Sequence, residues 1–386
     1  MLARLGALSF TLAAPALAAQ PAPPAVPPPP QFMDVIPVGE PREMQILSWQ
    51  VSEATCGAGT GIAPVHLSLP QPEMLVVRTW NAPQEAALTF ALDAEGRPFG
   101  IASNAAERSR LQMRDLMPAL RASRFAVEAP QTGCTIRYTP ELRSLSDAPL
   151  ETLARFGVAQ RLRMNKDAWE RLSPGDCRSA PRLAPLTRSY PDFRKLERRE
   201  GERQWTYVRY DIDAEGVPVN LATGETSGYA ALDAEALRAV AAGRYAGGPR
   251  SGCIQAWWTG AATIPAPPPP PKPKVEGNPA CEIKDRWEKE PRLVFPSNYQ
   301  QRAIEGWAIL RYDVAPWGQI GAITVLAAEP STEFGDAAKS VLNSAKFKPR
   351  ESGLSGCIDR VVFRIRKDDP ATTDGAAEAG AEAGAD

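Results

Sequence analysis

The run Trp307-Ala308-Ile309-Leu310-Arg311-Tyr312-Asp313-Val314 alternates along its whole length. Ala308, Leu310, Tyr312 and Val314 share one face, and Trp307, Ile309, Arg311 and Asp313 share the other, as in a half-buried strand. Pro316-Trp317-Gly318 is a turn signal, and a second β-rich run with Ile320, Ile323 and Val325 follows it. Phe334, Ala337, Ala338, Val341, Leu342 and Ala345 then recur at helical spacing on one face, with Ser331 and Thr332 just ahead as N-caps. After Phe347 and the Gly353 to Gly356 turn, Val361, Phe363 and Ile365 alternate as a closing strand. Val294 to Ile365 therefore reads as one β-β-α-β unit, a hairpin with a helix on it.

The order of motifs in this window resembles the C-terminal domain of TonB energy transducers. The matching residues are Phe295-Pro296, Arg302-Ala303-Ile304-Glu305-Gly306-Trp307, Arg311-Tyr312-Asp313-Val314 with Gly318, then Phe334, Ala337 and Ala338, and Lys346-Phe347-Lys348-Pro349. The family has Tyr-Pro at the first pair, and Phe295 keeps the aromatic ring without the hydroxyl. The resemblance covers directly about the last fifth of the chain.

Working outward, three landmarks of this unit recur upstream. Turn glycines Gly96, Gly216 and Gly318 are each followed 29 residues later by an aromatic (96 to 125, 216 to 245, 318 to 347), namely Phe125, Tyr245 and Phe347. Arg124, Arg244 and Lys346 stand immediately before these aromatics, and Leu120, Val240 and Leu342 five positions before. The expectation is an α+β fold of three tandem β-β-α-β TonB C-terminal-like domains, each a small antiparallel sheet with a helix packed on it. Residues 45–140 form the first and most divergent, residues 141–260 a helical lead-in plus the second, and residues 279–367 the third. The second has Tyr190-Pro191 at its start and Thr206, Val208, Tyr210 and Ile212 on one strand face. Trp257-Trp258 lies on its closing strand, one ring expected in the core and the other exposed or at a domain interface.

The six cysteines fall two per unit. Cys56 and Cys134, Cys177 and Cys253, and Cys281 and Cys357 are separated by 78, 76 and 76 residues. Fifteen connectivities are open to six cysteines, and the recurrence selects the one that closes each pair within its own unit. Residues 1–19 carry Arg4, an apolar run from Leu5 to Ala14 and the small-x-small site Ala16-Leu17-Ala18, the three parts of a secretory signal peptide. An oxidising compartment such as the periplasm, where disulfides persist, agrees with that leader. The alternative is an uncleaved N-terminal anchor in the inner membrane. Proline-rich linkers are expected at 20–44 and 261–278, and residues 368–386, all Ala, Gly, Glu and Asp after the first few, read as a disordered acidic tail.

Composition excludes several function classes. A single histidine, His66, leaves almost no Ser-His or Cys-His option. No CxxC spacing or phosphate-cradling glycine loop occurs, so no metal or other cofactor is expected. The Asp93/Glu95 and Asp213/Glu215 pairs sit on hairpin turns, where acidic residues serve the backbone. A formal net charge of −1 provides no field for nucleic acid, and no small-molecule substrate is indicated.

The resemblance implies binding of a protein partner. TonB C-terminal domains capture the TonB box of an outer-membrane transporter as an added strand on a sheet edge, where main-chain hydrogen bonds supply affinity. The closing strand, Asp359 to Arg366, offers that edge, with Arg360, Val362, Arg364 and Arg366 on its non-core face and Phe295-Pro296 as the family's first motif. The competing readings are a TonB-like transducer or adaptor that contacts transporters, and a soluble periplasmic structural protein that reuses the fold without energy transduction. A membrane enters only if the N-terminus is an uncleaved anchor.

Overall fold

In a computed structural model, the protein is described at residues 44–57, 59–76, 82–103, 114–159, 164, 166–181, 183–271, 281, 285–366 and 372–378. The expected signal peptide, residues 20–43 of the first linker, residues 272–278 of the second, and the end of the tail lie outside these. The fold is α+β, with small antiparallel sheets and few helices.

The first sheet uses β1 (Met44–Val51), β2 (Ala54–Cys56), β3 (Ala86–Leu92), β4 (Pro98–Ser103) and β5 (Gln131–Ser144), with helix α1 (Leu116–Ala122) between β4 and β5. Alternation in β3 buries Ala86, Leu88, Phe90 and Leu92 on one face. β4, β3 and β5 are neighbours in that order, and β1 and β2 lie along the far edge of β5.

β5 runs past residue 140, and two helices follow, α2 (Leu150–Ala159) and α3 (Lys166–Leu172). The second sheet contains β6 (Trp205–Ile212), β7 (Pro218–Thr226) and β8 (Arg250–Trp258), with α4 (Ala230–Ala241) between the last two strands. Its strand order is β7-β6-β8. Trp257 packs among the α4-side residues with Val208, Ala236 and Val240. Trp258 joins the opposite cluster with Leu153, Phe156 and Trp169 of α2 and α3. The two rings thus pin helices to both faces of one sheet.

The third sheet is preceded by a short helix, α5 (Ser297–Gln301), which the alternation patterns did not announce. Its strands are β9 (Gly306–Val314), β10 (Ile320–Glu329) and β11 (Leu354–Phe363), in the order β10-β9-β11, with α6 (Thr332–Asn343) between β10 and β11. The stripe expected on α6 is its buried face: Phe334, Ala338, Val341 and Leu342 are all at most 4% exposed. Ser331 is the N-cap residue, but its hydroxyl serves as the acceptor for the buried Tyr299 hydroxyl at 2.6 Å.

The spacing of 29 has a direct geometric cause. Gly96, Gly216 and Gly318 all have φ between +75° and +89°. A Cβ on them would lie 1.9, 2.0 and 1.9 Å from the carbonyl oxygens of Phe125, Tyr245 and Phe347. Each of those aromatics donates its backbone N–H to the glycine carbonyl at 2.9 Å. The hairpin turn is thereby clamped to the segment leaving the helix, and only glycine permits the approach.

The tail departs from expectation. Gly375–Glu378 form a strand, β12, antiparallel to β8. A sheet edge presents unpaired N–H and C=O groups that any extended backbone can satisfy, so a segment without core-forming side chains can still be ordered there.

Candidate protein-binding edge

The closing strands β5, β8 and β11 each begin with a Gly-Cys pair. Gly133, Gly252 and Gly356 have φ of 64°, 66° and 67°, and the ladder to the neighbouring strand is irregular beside each. Asp211 and Asp313 accept the N–H of Gly252 and Gly356 at 2.8 and 2.7 Å. Immediately after the glycine, Cys134, Cys253 and Cys357 are bonded to Cys56, Cys177 and Cys281 respectively, the expected pairing. Each disulfide ties a preceding segment to the outer edge of its closing strand, near that strand's start.

Beyond the disulfide the three edges differ. Along β5, Val51 to Gln45 of β1 pair with Tyr138 to Ser144. Along β8, Glu378 to Gly375 of β12 pair with Gln255 to Trp258. Among the described residues no strand pairs with the outer edge of β11. Counting from the cysteine, Asp359 to Val362 stand where Gln255 to Trp258 stand in the second sheet.

The residues around this edge have separate tasks. Val362 is 40% exposed beside the buried Trp307. Asp359 faces inward, accepting from Arg286 at 2.5 Å and from the Tyr312 hydroxyl at 2.6 Å. Burial, and after it the Asp359 carboxylate, push the Tyr312 hydroxyl well up, so Tyr312 remains a proton donor. Arg360 reaches to the Pro270 carbonyl. The strand ends at Phe363, so Arg364 and Arg366 lie beyond it rather than on it, both exposed. The cause is Ile365, whose N–H donates to Glu305 Oε1 at 3.1 Å and whose side chain packs on Ala261 and Ala303, drawing the chain off the ladder. Phe295 is half-buried and sits edge-on to Phe334 and Phe363, with ring centroids 6.2 and 5.6 Å away; Pro296 is the residue ahead of α5.

The second proline-rich segment does more than separate. Ile264 bridges to Ile304, Ala266 packs against Trp307, Ile309 and Ile358, and the Trp307 indole donates to the Pro267 carbonyl at 2.7 Å. Residues 264–270 therefore line the sheet face opposite α6, which the composition of the run did not disclose.

Arg302, part of the third segment's sequence motif, turns inward. It is 2% exposed and donates from Nε and Nη2 to Asp115 at 2.7 and 2.5 Å, from Nη1 to Ser68 at 2.9 Å, and from Nη2 to the Leu69 carbonyl at 2.9 Å. Burial opposes its charge, but Asp115 outweighs that and holds its pKa above the ordinary value. Nearby, His66 Nε2 lies 2.9 Å from Glu202. Among the described residues no three His, Cys, Asp or Glu side chains converge to hold a metal ion. The Asp93 and Asp213 carboxylates are engaged by the backbone N–H groups of their own turns.

Residues 291–365 match the protein family described as Gram-negative bacterial TonB protein C-terminal. This TonB-like segment holds α5, β9, β10, α6 and β11, and therefore the open edge. The chain is also similar to Protein TonB of Escherichia coli (strain K12), 28% identical over 71 residues, which are 18% of this chain and 29% of that protein. Less than a third of that relative's length is thus spanned. Among the described residues no helix is long and apolar enough to cross a membrane.

Proposed function

We propose that the chain is a periplasmic TonB-like protein-binding protein built from three copies of one β-β-α-β unit, which contacts outer-membrane TonB-dependent transporters by strand addition to β11. The observation that carries this is the pattern of edges. Two closing strands are covered by the chain itself, and the TonB-like one is not, among the described residues. An exposed edge is a hazard unless blunted or used, and strand addition uses it. Three within-unit disulfides agree with an oxidising compartment. A binding role without catalysis agrees with the turn-bound carboxylates.

The test is a titration with a peptide carrying a transporter's TonB box, followed by backbone amide resonances. Shifts concentrated at Asp359 to Phe363 are expected, with none from a scrambled peptide. Equal response to both peptides, or shifts confined to other edges, would overturn the reading. The second reading, a periplasmic adaptor that carries no energy, is favoured by the contacts that weld the units together. It predicts the same peptide binding but no rescue of transport in cells lacking their own transducer.

A further inference from the structure

The edge of β8 is covered by a segment with unusual fit. Arg198 donates to the Thr372 carbonyl at 2.7 Å and to Asp374 Oδ2 at 2.8 Å, and the N–H of Gly260 donates to Asp374 Oδ1 at 2.7 Å. The Asp374 carboxylate is thus held on both oxygens. The next residue is Gly375, opposite Trp258 in the ladder. A Cβ there would lie 2.2 Å from Trp258 Cζ2, inside the indole. Gly260 meets the Thr372 backbone equally closely, its own Cβ position lying 2.2 Å from that carbonyl. Three contacts therefore read an Asp-Gly pair, and the ladder continues from Gly375 to Glu378.

From this geometry we propose that the outer edge of β8 is a second strand-accepting site, specific for an extended segment bearing Asp-Gly, which the chain's own residues 372–378 occupy. Partner segments of the same chemistry, an acidic residue then glycine in an extended strand, compete for it. The guanidinium of Arg198 and the Gly260 N–H select the carboxylate, and the flat face of Trp258 excludes any side chain at the next position. This site is independent of the third-sheet edge, and either can fail without the other. A strand tied to the same chain acts at an effective concentration on the order of millimolar, so an outside segment succeeds only once the resident one is weakened.

The experiment uses full-length Asp374→Ala and Gly375→Val proteins and hydrogen exchange at Ala256 and Trp258, whose N–H groups face β12. Both substitutions lie in or just before β12, outside strands β7, β6 and β8 of the second sheet. At least tenfold faster exchange at these two amides is expected, with Gln255 and Trp257, whose N–H groups face β6, unchanged. Adding the peptide Thr-Thr-Asp-Gly-Ala-Ala-Glu in trans should restore protection, and the same peptide with valine for glycine should not. Unchanged exchange in both variants would overturn the proposal, as would equal rescue by the valine peptide. A concentration-dependent dimer of the wild-type protein in which tails are exchanged would also overturn it, in favour of self-association.

Discussion

Asp115→Ala tests the junction between the first and third segments. The substitution leaves the Arg302 guanidinium in place, 2% exposed, with its Nε and one Nη2 hydrogen bond gone. Hydrogen bonds to charged groups contribute about 1.5–3 kcal/mol each, and breaking a buried ion pair from one side costs about 3–5 kcal/mol. The Gln71 N–H, which donates to Asp115 at 2.7 Å, also loses its acceptor. A loss of about 4 kcal/mol is therefore expected, read from urea unfolding followed by tryptophan fluorescence. The control is Asp115→Ala combined with Arg302→Met, which removes the stranded charge and keeps an apolar stem. That double variant should recover more than half of the loss. A single-variant cost below about 1 kcal/mol, or a double variant as unstable as the summed singles, would refute the claim that the buried charge sets the penalty.

Gly318→Ala should destabilise by about 2 kcal/mol or more, because it combines left-handed backbone with a clash on the Phe347 carbonyl; thermal unfolding checks it, and Gly96→Ala and Gly216→Ala should behave alike. Cys281→Ser should cost up to about 4 kcal/mol, the chain-entropy figure for a loop of this size, while peptide mapping finds Cys56–Cys134 and Cys177–Cys253 still joined. Glu329 has its pKa raised, chiefly by burial, against the lowering effects of the Gly100 N–H and Arg121. Folding therefore takes up a proton there, and this group's contribution to stability declines as pH rises from its unfolded value near 4.5 through the folded one. Glu329→Gln should remove that decline, so its stability relative to wild type should grow between pH 4 and pH 7.

What the sequence disclosed was local and periodic. The stripe from Phe334 to Ala345 and the alternation from Trp307 to Val314 each depend on one element burying one face, which a residue pattern records. The 29-residue spacing was legible because a glycine and an aromatic carbonyl touch in each of the three segments. The cysteine pairing followed from the same recurrence. The docked linker at 264–270, strand β12 and the Arg302–Asp115 pair were not legible. The first two use backbone groups or a single indole N–H, and Arg302 looks like any surface arginine until Asp115, 187 residues away, is known to face it. At the candidate edge, the alternation carries the closing strand on to Arg366, whereas β11 ends at Phe363. Arg364 and Arg366 lie past it because Ile365 turns toward Glu305, Ala261 and Ala303, contacts that a residue pattern does not record.

The first sheet packs against the third, although the second intervenes in the chain. Ile101 bridges to Ser331, the Ile101 N–H reaches the Pro330 carbonyl at 2.9 Å, and Leu120, Tyr299 and Phe334 belong to one continuous apolar cluster. A ribosome therefore releases the first segment long before the surface that covers it exists. Contacts spanning such separations close late, because loop closure precedes any gain from them. The nascent first segment waits with an uncovered flank through the synthesis of more than 200 residues. Covering of that flank then waits for the segment around Ser331, and a chain cut short before it leaves the earliest-made part unfinished.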